Sequence, residues 1–145
     1  MTIKNSAVAK YKGLGKEGKG SVSTGSGAFS DQPYGFNTRF EDKKGTNPEE
    51  QIAAAHASCF TMALSMGLAG EGITNGELET KATVELEKEG EGFTITKSSL
   101  VLTAKVAGIS EEDFAKAAKD AKENCPISKL LNCDISLKIE SFTAL

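Results

Sequence analysis

Apolar residues crowd most densely between Gly45 and Gly70, in GTNPEEQIAAAHASCFTMALSMGLAG. Ile52, His56, Cys59, Ala63 and Met66 recur at spacings of three and four, which puts them on one face of a helix. The other faces are mostly Ala, Leu, Met and Phe, so this helix is expected to be enclosed. Asn47 is placed to cap it. Pro48 then falls at the first helical position, where a missing N–H costs nothing, and Glu50 can close a capping box. Thr46 with Glu49 is the competing frame, and Gly67 and Gly70 are expected to end the helix.

Period-two patterns flank it. From Leu78 to Glu87, Leu78, Thr80, Ala82, Val84 and Leu86 alternate with Glu79, Lys81, Thr83, Glu85 and Glu87. One face is dry and one wet, which predicts an antiparallel strand. Glu89 to Gly92 supplies a hairpin turn. The return strand carries Phe93 and Ile95 on odd positions but Leu100, Leu102, Ala104 and Val106 on even ones, so a bulge is expected near Lys97 to Ser99. Ser110 caps a second helix, with Ile109 and Phe114 set as a hydrophobic staple and Phe114, Ala117, Ala118 and Ala121 as its buried stripe. Cys125-Pro126 opens a short helical turn, and Ile135, Leu137 and Ile139 mark a last strand. Residues 3 to 11 can form a first strand. The order of elements is α+β, with no repeat and no linker, and residues 1–145 are expected to form a single domain.

The glycine-rich run KGLGKEGKGSVSTGSG holds G-x-G-x-x-G at Gly13, Gly15 and Gly18 and nearly spells a phosphate loop. Both motifs need a helix directly after the glycines, whereas Ser21 to Gly25 read as strand and turn. A hairpin loop is the expected structure. Downstream, Tyr34, Phe36 and Phe40 bracket Arg39. Such an arginine is either stacked on its aromatic neighbours or held as a cation at the mouth of an apolar pocket.

Composition narrows the class. At 145 residues and 39% hydrophobic, the chain can build one modest core, which a second copy could complete. A net charge of -3 gives no signal for nucleic acid. No membrane span is expected, because Ser, Thr and His interrupt the central helix, and no signal peptide is visible at the N-terminus. The three cysteines, Cys59, Cys125 and Cys133, form neither a metal pair nor a disulfide scaffold. A cytoplasmic location is expected, with thiols reduced at rest and any disulfide transient.

Cys59 lies mid-helix, where free cysteine is commonly an inert core residue. Cys125 opens a helical turn, where peptide dipoles favour a thiolate. If the fold brings the two together, they can act as attacking and resolving thiols. Cys133 precedes a strand and reads as structural or spare. His56, the only histidine, sits one turn before Cys59 and offers a Cys–His hydrolase dyad as an alternative chemistry. Neighbouring helical positions splay outward, which suits packing better than proton transfer. A non-catalytic, small-ligand-binding dimer with inert cysteines is the third class.

The segments QPYGFNTRF, GTNPEEQIAAAHASCF and NCPIS resemble those of the OsmC/Ohr family of osmotically inducible and organic hydroperoxide resistance proteins, and resemble its OsmC branch more closely. The likeness runs over nearly the whole chain. It implies an α+β fold with antiparallel sheets around a long central helix, in an intertwined homodimer with active sites at the subunit interface. It implies reduction of organic hydroperoxides, and of hydrogen peroxide less well, without metal, haem or flavin. Cys59 matches the peroxidatic cysteine, Cys125 the resolving one and Arg39 the arginine that stabilises the thiolate. Glu49 matches the glutamate that holds that arginine, with Glu50 its neighbour. Tyr34, Phe36 and Phe40 then border the substrate pocket. The reductant implied is an external dithiol, of the lipoyl-protein kind.

Thiol chemistry sets what such a site needs. Attack on an O–O bond requires a thiolate, and moving a thiol from about 8.5 to about 6 takes roughly 3.4 kcal/mol. Burial alone acts the other way. A guanidinium held by a carboxylate can reverse it.

Overall fold

The computed structural model describes residues 1–145, which divide into two compact units, Met1–Gln51 and Ile52–Leu145. In the first unit, β1 (Ala7–Lys12), β2 (Lys19–Thr24) and β3 (Gln32–Tyr34) form an antiparallel sheet in chain order. The glycine-rich run is the β1–β2 connection, with Lys12 opposite Lys19 and a single 3₁₀ turn at Gly15–Glu17. A strand follows it, so neither phosphate motif has its helix. The first strand begins at Ala7 rather than residue 3. A short helix that the sequence pattern does not predict, α1 (Phe36–Phe40), follows Gly35, whose N–H donates to Thr38 Oγ1 at 2.8 Å.

Helix α2 (Pro48–Gly70) is the longest element. Asn47 Oδ1 accepts the Glu50 N–H at 2.8 Å, so Asn47 is the cap and the Thr46 frame is not used. It ends at Gly70, as expected, and the chain is turned away from the helix axis two residues later. Gly72 adopts φ +83, its N–H reaches Ala69 O, and the Ile73 N–H reaches Leu68 O, both at 3.0 Å. That is a Schellman ending, and a left-handed residue there favours glycine. Gly67 is inside the helix.

In the second unit, β4 (Gly76–Glu89) and β5 (Gly92–Val106) form a long antiparallel hairpin. Glu85 faces Lys97 but Leu86 faces Ile95, so Thr96 is the extra residue. The bulge therefore precedes the expected Lys97–Ser99 span by one position. Ser110 Oγ accepts the Asp113 N–H and starts α3 (Glu111–Asn124), which buries Phe114, Ala118 and Ala121. After α4 (Pro126–Leu130), β6 (Asp134–Ala144) joins β5 in parallel. The antiparallel sheets expected are present in β1–β3 and in β4–β5, and β6 alone runs parallel to its neighbour. Parallel neighbours need a long crossover, and α3 with α4 supplies it.

The core of this unit lies between the sheet and the helices. Phe60, Leu64 and Leu68 of α2 meet Leu100, Leu102, Ala104 and Val106 of β5, and Phe114 and Ala118 of α3. Each large side chain so buried contributes roughly 1.5–3 kcal/mol. The buried stripe of α2 is thus His56, Phe60, Leu64 and Leu68, a strict four-residue spacing. Of the face shared by Ile52, His56, Cys59, Ala63 and Met66, His56 is fully buried, Cys59 and Ala63 pack against the core, and Met66 is exposed. Helix α2 is not enclosed, since Met62 and Met66 are 65% and 68% exposed. Against expectation, α2 is also long and apolar enough to cross a membrane, with mean hydropathy 1.4. Its polar residues hide their groups: Ser58 Oγ donates to Ala54 O and Thr61 Oγ1 to Ala57 O, at 2.8 and 2.7 Å. A core helix meets the same length and composition test.

Candidate active site

In the first unit, α1 presents Arg39 and the first turn of α2 presents Glu49. Arg39 Nε donates to Glu49 Oε1 at 2.9 Å, and Nη2 donates to the same oxygen. Glu49 is buried at 8% exposure, while its Oε2 has no hydrogen-bond partner. Glu50 instead gives its N–H to the helix cap, so the carboxylate that holds the arginine is Glu49. The guanidinium carbon lies 5.4 Å from the centre of the Phe40 ring, and Phe36 stacks on Phe40 at 5.0 Å. Arg39, Tyr34, Phe36 and Phe40 line one cavity of about 270 Å³, with Tyr11, Lys16 and Pro48. The stacked arginine and the cation beside an apolar pocket are therefore one arrangement. Tyr11 and Lys16 carry no sequence signal of their own, since the β1–β2 pairing alone brings them to this cavity.

In the second unit, α2, α3 and α4 converge on two free thiols. Cys125 is fully buried at the junction of α3 and α4 and caps α4, its Sγ accepting the Ser128 N–H at 3.3 Å. Cys59 is half-buried on α2. It packs against the buried cluster that holds Cys125, beside Ile127, the second residue of α4, and both neighbours act on its thiol. The fold thus joins the two thiols that sequence separates, and the first turn of α4 serves both.

Burial is the main influence on Cys59 and raises its thiol pKa above the ordinary value. The Ile127 backbone hydrogen bond lowers it, and the neighbouring Cys125 raises it again. Within this unit the balance keeps Cys59 protonated, so an added positive charge is what nucleophilic chemistry requires. Burial likewise raises Cys133, with help from Asp134 and against a hydrogen bond from the Ser98 backbone.

His56 does not face Cys59. Its Nδ1 is 2.6 Å from Ser98 Oγ on β5, and its Nε2 is 2.8 Å from Ser128 Oγ on α4. The hydrogen bond that a Cys59–His56 hydrolase dyad needs is made to serines instead. Burial lowers the His56 pKa and keeps the ring neutral. Ser128 Oγ also meets Cys125 Sγ at 3.2 Å, which extends the chain from Ser98 to a thiol. Sequence reasoning missed both serines. Ser98 has a usable signal, because it shares the buried parity of Leu100, Leu102, Ala104 and Val106, and a polar residue there demands a partner. Ser128 has a weaker one, its place three residues after the Cys125 cap.

Comparison with known proteins gives the family. The profile of the family described as OsmC-like protein matches residues 41–140. The peroxiredoxin OsmC of Escherichia coli (strain K12) is 50% identical over 137 residues, covering 94% of this chain and 96% of the relative. The organic hydroperoxide resistance protein-like 1 of Staphylococcus epidermidis is 38% identical over 68% of this chain and 72% of its own. An OsmC-like protein of unknown function from Vibrio cholerae shares the fold, with a TM-score of 0.75 at 18% identity over 95% of this chain and 99% of that one. With its central α2 helix, its two facing thiols and half its residues shared with one relative, the chain belongs to the OsmC-like protein family.

Proposed function

We propose that this protein is a thiol-dependent peroxidase that reduces organic hydroperoxides, with Cys59 as the attacking and Cys125 as the resolving thiol. The observation that carries the reading is the packing of Cys59 against the buried cluster that holds Cys125, close enough for the two thiols to influence each other. Two thiols in contact can close a disulfide with little movement. The names of the relatives, a peroxiredoxin and an organic hydroperoxide resistance protein, support the same reaction.

In this reading the Cys59 thiolate attacks the outer peroxide oxygen, an alcohol leaves, and Cys59 becomes a sulfenic acid. Cys125 condenses with it to a disulfide, releasing water. An external dithiol, such as a lipoyl protein, reopens the bond. Arg39, fixed by Glu49, supplies the positive charge that Cys59 lacks, and Tyr34, Phe36 and Phe40 receive the organic part of the substrate. Whole-chain likeness to the peroxiredoxin relative supports this, as does the Arg39–Glu49 pair itself. The chain works as one OsmC-like domain over residues 1–145, within an intertwined homodimer in the reducing cytoplasm. The exposed Met62 and Met66 support a second copy as the cover of α2.

Mass spectrometry after one equivalent of tert-butyl hydroperoxide tests the assignment. The expected product has lost two thiols per chain, holds a Cys59–Cys125 disulfide and leaves Cys133 free. A Cys59–Cys133 bond would reassign the resolver. Unchanged cysteines would favour the non-catalytic binding dimer.

A further inference from the structure

His56 is fully buried, and no carboxylate touches its ring. A residue serving only to fill space between α2, β5 and α4 would be apolar, because a buried polar ring must find a partner for each nitrogen. Here both nitrogens have one, and the hydrogen-bonded series runs Ser98 Oγ, His56 Nδ1 and Nε2, Ser128 Oγ, Cys125 Sγ, with separations of 2.6, 2.8 and 3.2 Å. It ends on the sulfur that must lose a proton before it can resolve a sulfenic acid.

We propose that His56 acts through Ser128 as a proton relay to Cys125 and thereby speeds closure of the Cys59–Cys125 disulfide. The proposal rests on the peroxidase reading above. With Nδ1–H donating to Ser98 Oγ, the Nε2 lone pair accepts the Ser128 hydroxyl, and Ser128 Oγ accepts the Cys125 S–H. As the Cys125 lone pair forms the S–S bond, its proton passes to Ser128 and the Ser128 proton to His56 Nε2. The Cys59 S–O bond breaks with its electron pair on oxygen. His56 Nε2 then returns its extra proton through Ser128 to the departing hydroxide, so His56 and Ser128 end as they began and one water is released. Cys125 is oxidised and the sulfenic sulfur of Cys59 is reduced, so no further oxidant or reductant enters. His56 is a positioning residue in this scheme, since it reaches the reacting sulfur only through Ser128. The ionisable groups around the series are Cys125 and Cys59 at one end and Cys133, with Asp134 beside it, against Ser98 at the other.

The test is a single turnover of the reduced full-length chain with tert-butyl hydroperoxide, quenched at intervals with dimedone and a thiol alkylator and read by mass spectrometry. It follows Cys59 sulfenic acid and the Cys59–Cys125 disulfide across a range of pH. Ser128→Ala and His56→Gln are expected to accumulate sulfenic acid and to close the disulfide about a hundredfold more slowly near neutral pH, the usual scale of general-base help. The deficit shrinks as pH rises, because hydroxide then takes the thiol proton without the relay. Ser128→Thr, which keeps the hydroxyl, restores both the rate and the pH profile. Closure at the wild-type rate in Ser128→Ala overturns the relay. So does a deficit equal at every pH and unrescued by threonine, which is the mark of lost packing. If His56→Gln does not fold, Ser128→Ala, which retains His56 and its bond to Ser98, carries the test. A wild type that forms no sulfenic acid fails the peroxidase reading first, and that is visible before any variant is made.

Discussion

Arg39 and Glu49 meet through one carboxylate oxygen, with two guanidinium nitrogens on Oε1 and none on the buried Oε2. The arginine is oriented by this pair but keeps other N–H groups for an anion. If that anion is the Cys59 thiolate, Arg39→Ala leaves burial unopposed, and the Cys59 pKa rises further. Arg39→Lys restores charge but not the planar fork, so it rescues only in part. Glu49→Gln is milder than Arg39→Ala, because it loosens the guanidinium without deleting it. The readout is thiolate ultraviolet absorbance against pH in a Cys125→Ser, Cys133→Ser background. An unchanged midpoint in Arg39→Ala would leave Arg39 as an aromatic-stacked residue only. At this scale the residue types proposed for the chemistry are legible, because Cys, Arg and Glu each have few reasons to lie where they do. The serines are not, since a hydroxyl among apolar neighbours acquires meaning only when His56 is placed beside it.

Between elements, His56 pins α2 to β5 through Ser98 and to α4 through Ser128. Burial lowers its pKa from the ordinary 6.5, so the unfolded chain binds this proton more readily than the folded one. Folding stability from this group is therefore fully present above pH 6.5 and is lost as pH falls through the lower folded value. In urea unfolding, wild type is expected to lose more stability below pH 6.5 than His56→Gln does. Parallel slopes would mean that His56 titrates as it does in water. Caps and alternation are readable at this scale because they are local: Asn47, Ser110 and the Leu78–Leu86 pattern all act where expected. The pairing of β6 is not, since alternation gives a strand its faces but neither its neighbour nor its direction.

For the whole molecule, the exposed side of α2 is the feature with the largest consequence. Met62 and Met66 project from a helix whose opposite side is already used by the core. A homodimer that covers them should resist dilution, and light scattering is expected to give twice the chain mass at micromolar concentration. Met62→Glu with Met66→Glu would bury two unpaired carboxylates, each costing several kcal/mol, roughly, and should give monomer or unfolded chain. A compact, stable monomer of the wild type would refute the dimer.

The sequence by itself determined the long helices and strands, both of their caps and the family, and it named Cys59, Cys125, Arg39 and Glu49 as candidates for the chemistry. Each rests on information within one turn, one strand or one short motif. Only the tertiary structure decided that α2 buries His56 completely and Cys59 only in part, that Glu49 and not Glu50 holds Arg39, and that Cys59 packs against the cluster that holds Cys125. An evenly apolar helix has no preferred side until a sheet is laid against it. Two thiols far apart in the chain have no common environment until the crossover that carries β6 alongside β5 brings their helices together.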